Sequence, residues 1–340
     1  MNHVYLPRTD AGTGFLFPWR SSVNRRSLVT VHLPLLLTAM FWGTNFVALK
    51  RLLEHLTVPD TVVVRSILAA LCNVVMLVIL RRSNVTIARA DLPRIFLVAI
   101  LGGVMTPVPN ILAQRYITAS VASLLATTNA LWTALFAWLI LSIGLTRRKI
   151  VGMGVAFLGF LIILLLGGPS VSFSARNTVG VLIFILSPLS WGLYSVLAKP
   201  LLARYPSMQL VAVTTIVGTL FLLPILFSGT PERVAHLSGS DWLLMLWVGV
   251  ITLWLAYVFW FRGLRALQPS QVAVYIYLVP CFGVIAARVF LNEPITLFVL
   301  IGGATILGGV IITNSPSRAE RIAPAVPVVA TPTASGSVQP

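Results

Sequence analysis

The sequence predicts an all-α membrane protein whose ten transmembrane helices form two inverted five-helix repeats. Of its 340 residues, 58% are hydrophobic and only 9% charged, whereas soluble domains carry about 25% charged residues. Ten apolar runs follow one another along the chain, and about 20 such residues cross the roughly 30 Å hydrocarbon core as a helix. Residues 37–57, LTAMFWGTNFVALKRLLEHLT, return 149 positions later as LSPLSWGLYSVLAKPLLARYP.

The runs cover about 30–49, 61–80, 95–115, 118–143, 149–167, 178–198, 208–228, 241–262, 271–291 and 295–313. They are continuously apolar, which indicates helices; barrel strands would alternate over about ten residues. Short turns leave no room for a soluble catalytic domain. Residues 1–29 hold Arg8, Arg20, Arg25 and Arg26 ahead of a full spanning run with no small-residue cleavage site, so they read as a cytoplasmic segment before an uncleaved helix. Residues 30–167 and 178–313 form the two repeats. Residues 314–340, with Pro316, Pro324, Pro327, Pro332 and Pro340, cannot propagate a helix and read as a disordered cytoplasmic tail.

Trp42-Gly43 matches Trp191-Gly192 and Lys50 matches Lys199; at an offset of 150, Ser120 matches Ser270, Thr146 Thr296, Gly152 Gly302 and Gly159 Gly309. Each half holds five spans, an odd number, so the second copy must cross the membrane in the opposite sense. Inverted repeats recur in secondary transporters, where two halves rock about a midplane site. The net charge of +16 follows the same topology. With the N-terminus inside, 17 of the 24 basic residues fall on the cytoplasmic side, the expected orientation signal. Both termini are therefore placed in the cytoplasm, and the charge is assigned to topology rather than to nucleic acid. Cys72 and Cys281 lie within apolar runs without metal or redox spacing.

The chain resembles the drug/metabolite transporter superfamily, specifically its EamA-like ten-helix members. The resemblance rests on FWGTNFVALK at 41–50, Arg65, AQRYITASVASLLATTNALWTAL at 113–135, SWGLYSVLAK at 190–199 and the stretch 263–296. It implies a multi-pass inner-membrane carrier, often an exporter of amino acids or other small metabolites. Two positions depart from the family pattern. Ile143 stands where Glu293 stands in the second half, and Asn129 occupies the place of a common helix 4 proline, whereas helix 9 keeps Pro280.

Candidate substrate contacts are polar or aromatic groups at membrane depth. In helix 4, Thr128 and Asn129 need partners that lipid does not offer, and Asn129 shares a face with Trp132; binding and interhelical hydrogen bonding both fit Asn129, while Thr127 is assigned to structure. Trp42 and Asn45 share a face of helix 1, matched by Trp191 and Tyr194 on helix 6; the tryptophans line a cavity or pack the core. In helix 3, Pro107 and Pro109 precede Asn110 and Gln114, four apart on one face, where a kink can open a polar cavity. Helix 8 offers Trp254 and Tyr257 and helix 9 offers Tyr275. Such aromatic residues would suit a flat or amphipathic substrate.

Arg65 and Arg288 read as snorkelling to the outer interface, with contact to an anionic substrate group as the alternative for Arg65. Glu293 reads as a cap of helix 10. The small residues of helices 5 and 10 suggest scaffolding or a homodimer contact. No acidic or metal-ligating cluster supports an enzyme, and no cofactor is implied. The remaining classes are a carrier of a small molecule through the lipid bilayer and a non-transporting scaffold or sensor.

Overall fold

The computed structural model describes residues 28–79, 87–142, 144, 146–166, 175–266, 272 and 275–314. The predicted N-terminal segment through residue 27, the tail from residue 315, Ile143 and Ser270 lie outside the described residues. The long helices are α1 (Val29–His55), α2 (Val58–Ile79), α3 (Arg89–Ala113), α4 (Ala119–Leu141), α5 (Arg147–Leu166), α6 (Asn177–Leu202), α7 (Ser207–Ser228), α8 (Gly239–Gly263), α9 (Val279–Leu291) and α10 (Leu297–Asn314). Among the described residues seven of them, α1–α4 and α6–α8, are long and apolar enough to cross a membrane. Leucine, valine, isoleucine and phenylalanine side chains such as Leu71, Val78, Phe157, Leu182, Val289 and Leu297 stand exposed around the bundle. A surface of that kind is stable only against hydrocarbon or another apolar partner.

Close helix crossings organise the packing. α1 lies against α9 and α8, α6 against α4 and α3, α2 against α7 and α8, and α5 along α10. Where backbones approach most closely, glycine supplies the space. A Cβ on Gly43 would stand 2.5 Å from the Val279 carbonyl oxygen, and one on Gly192 would stand 2.8 Å from the Trp132 carbonyl carbon. The Trp-Gly pair seen twice in the sequence therefore marks two equivalent crossings. On the outer pair, a Cβ on Gly152 would meet the Gly309 oxygen at 2.7 Å, and one on Gly159 the Gly302 oxygen at 2.6 Å. Advancing along α5 retreats along α10, so these helices run antiparallel. The glycine stripe considered for a dimer is thus used inside the chain, whereas Gly154 and Gly308 face open space.

Several irregularities sit at corresponding positions of the halves. Leu101–Met105 in α3 and Trp247–Leu255 in α8 are wound as π-helix. α4 is broken at Thr127 and Thr128, and α9 is preceded by a turn at Tyr277 and Leu278. Pro280 lacks the N–H for a continuous helix, but α4 breaks without proline. There the Thr127 and Thr128 hydroxyls donate to the Leu124 and Leu125 carbonyls, each at 2.7 Å, and their backbone N–H groups tighten onto the same oxygens. α4 and α9 end on left-handed residues, Ser142 (φ 54°) and Asn292 (φ 51°), a conformation that closes helix ends.

One end of the bundle is heavily cross-tied. Glu293 accepts from the backbone N–H of Ala119 (2.7 Å) and Ser120 (3.0 Å) and from the Ser120 hydroxyl (2.7 Å). It therefore caps α4, in contrast to the sequence expectation for helix 10: the chain turns at Asn292 and aims the carboxylate at the positive end of the neighbouring helix. Lys50 donates to the carbonyls of Gln114 and Ile117 beyond α3, Arg115 to that of Leu56, and His55 pairs with Asp241 at 2.9 Å. Asp60, wholly buried, is held by Arg233 from the short helix Thr230–Ala235, with both contacts at 2.7 Å. At the opposite end Asp91 accepts from Arg204 (2.9 Å) and the Tyr205 hydroxyl (2.8 Å).

Gly43→Ala should destabilise the fold by about 1–3 kcal/mol through overpacking, read as a lower midpoint of thermal unfolding in detergent. Gly154→Ala, with nothing within 4 Å of the added carbon, should leave that midpoint unchanged or slightly raised.

Candidate functional site

The irregular backbone segments converge on an interior cavity of about 790 Å³, within the usual range for a small-molecule site. Its lining comes from both halves and reaches Lys149 at the start of α5 and Thr313 near the end of α10. Both lie toward the end opposite the Glu293 and Lys50 ties. Irregular backbone at membrane depth is tolerated where it faces a cavity, and the two π segments and the Thr127 and Tyr277 breaks all contribute to this wall.

Trp42, Asn45, Asn110, Asn129, Trp191, Tyr194 and Tyr257 of the sequence candidates line the cavity. The Trp42 indole donates to the Thr252 carbonyl at 3.2 Å within the π segment of α8. Its ring meets Tyr257 edge-on at 5.6 Å between centroids, and Trp191 lies 5.4 Å from Tyr194 and 6.5 Å from Tyr257. These four rings form an aromatic wall shared by α1, α6 and α8. Tyr194 fits because Gly102 has no side chain: a Cβ there would stand 2.8 Å from the tyrosine ring. The buried Asn45 Oδ1 has no hydrogen-bond partner among the described residues, so an acceptor in the wall is unsatisfied.

Five candidates stand outside the lining. Gln114 is fully buried and donates to Asn110 Oδ1 at 3.0 Å; it orients that amide from behind. Thr128 turns its hydroxyl to Leu125, and Trp132, in the continuous helix that follows the break, packs at the Gly192 crossing, its indole nitrogen buried and without a partner among the described residues. Trp254 lies with Asn73, Tyr257 and Phe261 around a separate small pocket and does not reach the cavity. Tyr275 lies 2.7 Å from His32 at the base of α1, and Tyr277 reaches the cavity instead.

Sequence reasoning missed Ser66, Thr106, Ser187, Ser195, Thr214 and Thr252 and assigned Thr127 to structure, yet all line the cavity; so does Arg65, for which contact with an anionic group was the alternative to snorkelling. Arg65 does not snorkel. It is only 7% exposed, faces the cavity, and its Nε makes no hydrogen bond among the described residues. The hydroxyl residues are scattered over six helices and mostly satisfy themselves on preceding carbonyls, as Ser195 does on Trp191 at 2.7 Å. A pattern of that kind gives no periodic signal. Lys149, Val310 and Thr313 also bring α5 and α10 into the wall, although the sequence placed those helices outside the pathway.

An apolar helical bundle around a solute-sized cavity, with broken helices at its centre, defines a multi-pass membrane protein with an interior site. The EamA-like transporter family matches the chain twice, over residues 30–165 and 178–315, and the chain belongs to that family of membrane transporters. It is 30% identical to an uncharacterized transporter of Archaeoglobus fulgidus, over 84% of this chain and 97% of the relative. It is 28% identical to a probable terminal-alkyne amino-acid exporter of Streptantibioticus cattleyicolor, over 84% of this chain and 94% of that one. A crystal structure with 17% sequence identity superposes with a TM-score of 0.59, covering 82% of this chain and 94% of its own, and so shares the fold.

In a background with Cys72 and Cys281 replaced, Asn129→Cys and Ser195→Cys should react with a small membrane-impermeant thiol reagent. Gln114→Cys and Thr128→Cys should resist it. Mass spectrometry of the labelled protein checks the assignment.

Proposed function

We propose that the chain is a ten-span secondary carrier that moves a small metabolite, amino acid or drug-like molecule across the inner membrane by alternating access, in the export direction. The observation that carries this reading is the cavity at the meeting of the halves, walled by broken and π-wound helices at corresponding positions. Discontinuous helices of this kind form substrate sites in inverted-repeat transporters. The inverted arrangement is supported by the packing. Exchanging each helix with its counterpart five places on turns α1 against α9 into α6 against α4, and returns α5 against α10 to itself. Gly152 faces Gly309 and Gly159 faces Gly302, so exchanging the halves maps each contact onto the other.

The basic residues of the sequence put both termini and the Lys149 end in the cytoplasm. On that orientation the structure is an inward-facing state, closed outside by the ties of Lys50, Arg115, Asp241, Asp60 and Glu293. Loading from the cytoplasm then precedes release outward, consistent with the exporter among the relatives. A homodimer through α5 and α10 would use their outward faces, because their glycine faces are spent on each other. A reporter fused to the C-terminus, fluorescent in the cytoplasm and inactive outside it, should report cytoplasmic placement.

Reconstituted into proteoliposomes, the protein should show saturable flux of a small solute, with aromatic and branched amino acids tried first. Trp42→Ala and Asn129→Ala should each lower the specificity of that flux by about tenfold, or about 1.4 kcal/mol. Absence of saturable flux in a folded preparation would leave the scaffold or sensor reading.

A further inference from the structure

Arg65 lies two turns into α2, 7% exposed, with Ser66 beside it in the cavity wall and Tyr257 across from it. A buried guanidinium costs several kcal/mol unless its charge and hydrogen-bond donors are met. Among the described residues no carboxylate does so, and none lines the cavity. Asp60, five positions earlier on the same helix, is fully engaged: Arg233 takes both of its oxygens at 2.7 Å, and the Thr230 and Thr57 hydroxyls donate to it at 2.6 Å. Asp91, Asp241 and Glu293 are likewise engaged at the ends of the bundle. Among the described residues, Arg65 is therefore a buried cation facing the cavity with no carboxylate partner and its Nε unpartnered.

Resting on the carrier reading of this cavity, we propose that Arg65 is the specificity-determining anchor for the carboxylate of a small organic acid, which supplies the missing counter-charge when it binds. A guanidinium presents paired donors that fit a carboxylate in a plane. The aromatic wall of Trp42, Trp191, Tyr194 and Tyr257 covers the apolar part of the same molecule, and the unsatisfied Asn45 Oδ1 accepts from a donor on it. Because the described lining offers no carboxylate, an amine alone finds no ionic partner there. The cavity thus prefers acids, including amino acids, over the amines and amides of the same skeleton.

The test compares L-phenylalanine, 3-phenylpropanoate, phenylalaninamide and phenethylamine as ligands of wild type, Arg65→Lys and Arg65→Gln, by thermal shift in detergent and by counterflow in proteoliposomes. Wild type should bind the two acids at least about tenfold more tightly than the amide and amine. Arg65→Gln should abolish that preference, and Arg65→Lys should retain part of it. Equal binding of acids and amines by wild type, or an unchanged preference in a folded Arg65→Gln protein, overturns the proposal. If Arg65→Gln fails to fold, the wild-type comparison and Arg65→Lys decide it: a lysine variant with undiminished preference and affinity counts against a guanidinium anchor. Binding selectivity without any flux would sink the carrier reading while leaving the anchor in place, and flux indifferent to Arg65 would do the reverse.

Discussion

Two membrane helices can cross closely only where no side chain stands between their backbones, and the halves of this protein meet through such crossings. Gly43 against Val279 joins α1 to α9, Gly192 against Trp132 joins α6 to α4, and the Gly152 and Gly159 contacts join α5 to α10. Lipid tails are as apolar as leucine, so burial of apolar surface contributes little to holding helices together here; close van der Waals packing must do it. A single Cβ at any of these points would meet a backbone atom under 3 Å away. The glycines thus set the distance between the halves, and that distance sets the width of the space they enclose.

The cavity depends on a second constraint acting with the first. Backbone polar groups at membrane depth must be satisfied internally, yet a wall of unbroken helices would present few of them to a solute. The π segments of α3 and α8 and the breaks at Thr127 and Tyr277 line the cavity. The Thr127 and Thr128 hydroxyls cap the carbonyls where α4 breaks, and the Thr106 and Thr252 hydroxyls reach five residues back to Leu101 and Trp247 in the π segments. Trp42 takes a further carbonyl of α8. Among the described buried polar atoms of this wall, Asn45 Oδ1 and Arg65 Nε lack a partner. Unmet groups inside an otherwise satisfied wall are where a ligand gains most.

Much of this was legible in the chain, though unevenly. The helices, their order and the Trp-Gly repeat follow from composition and local pattern, because each spanning helix satisfies its own backbone and needs only apolar side chains outside. Trp42, Asn45, Trp191 and Tyr194 could be assigned to one surface because equivalent helices of a repeat present equivalent faces. Which neighbour each helix face meets was not legible. Trp132 follows Asn129 in one continuous helix yet packs at the Gly192 crossing with α6, and Trp254 sits with Asn73, Tyr257 and Phe261 around a separate small pocket; both outcomes depend on packing between helices distant in the chain.

Charged groups show the same division. Membrane residence, the repeat and the pattern of basic residues are properties of sequence, since each depends on residue type and spacing alone. Which ionic groups pair is not, because partners more than 100 positions apart are chosen by packing: Asp60 with Arg233, Asp91 with Arg204, Glu293 with the start of α4. Those pairings leave Arg65, buried in the wall, without a carboxylate partner among the described residues. The sequence by itself determined a duplicated helical membrane protein; only the tertiary structure decided where its cavity lies and which charge faces it, because both depend on contacts between helices distant in the chain.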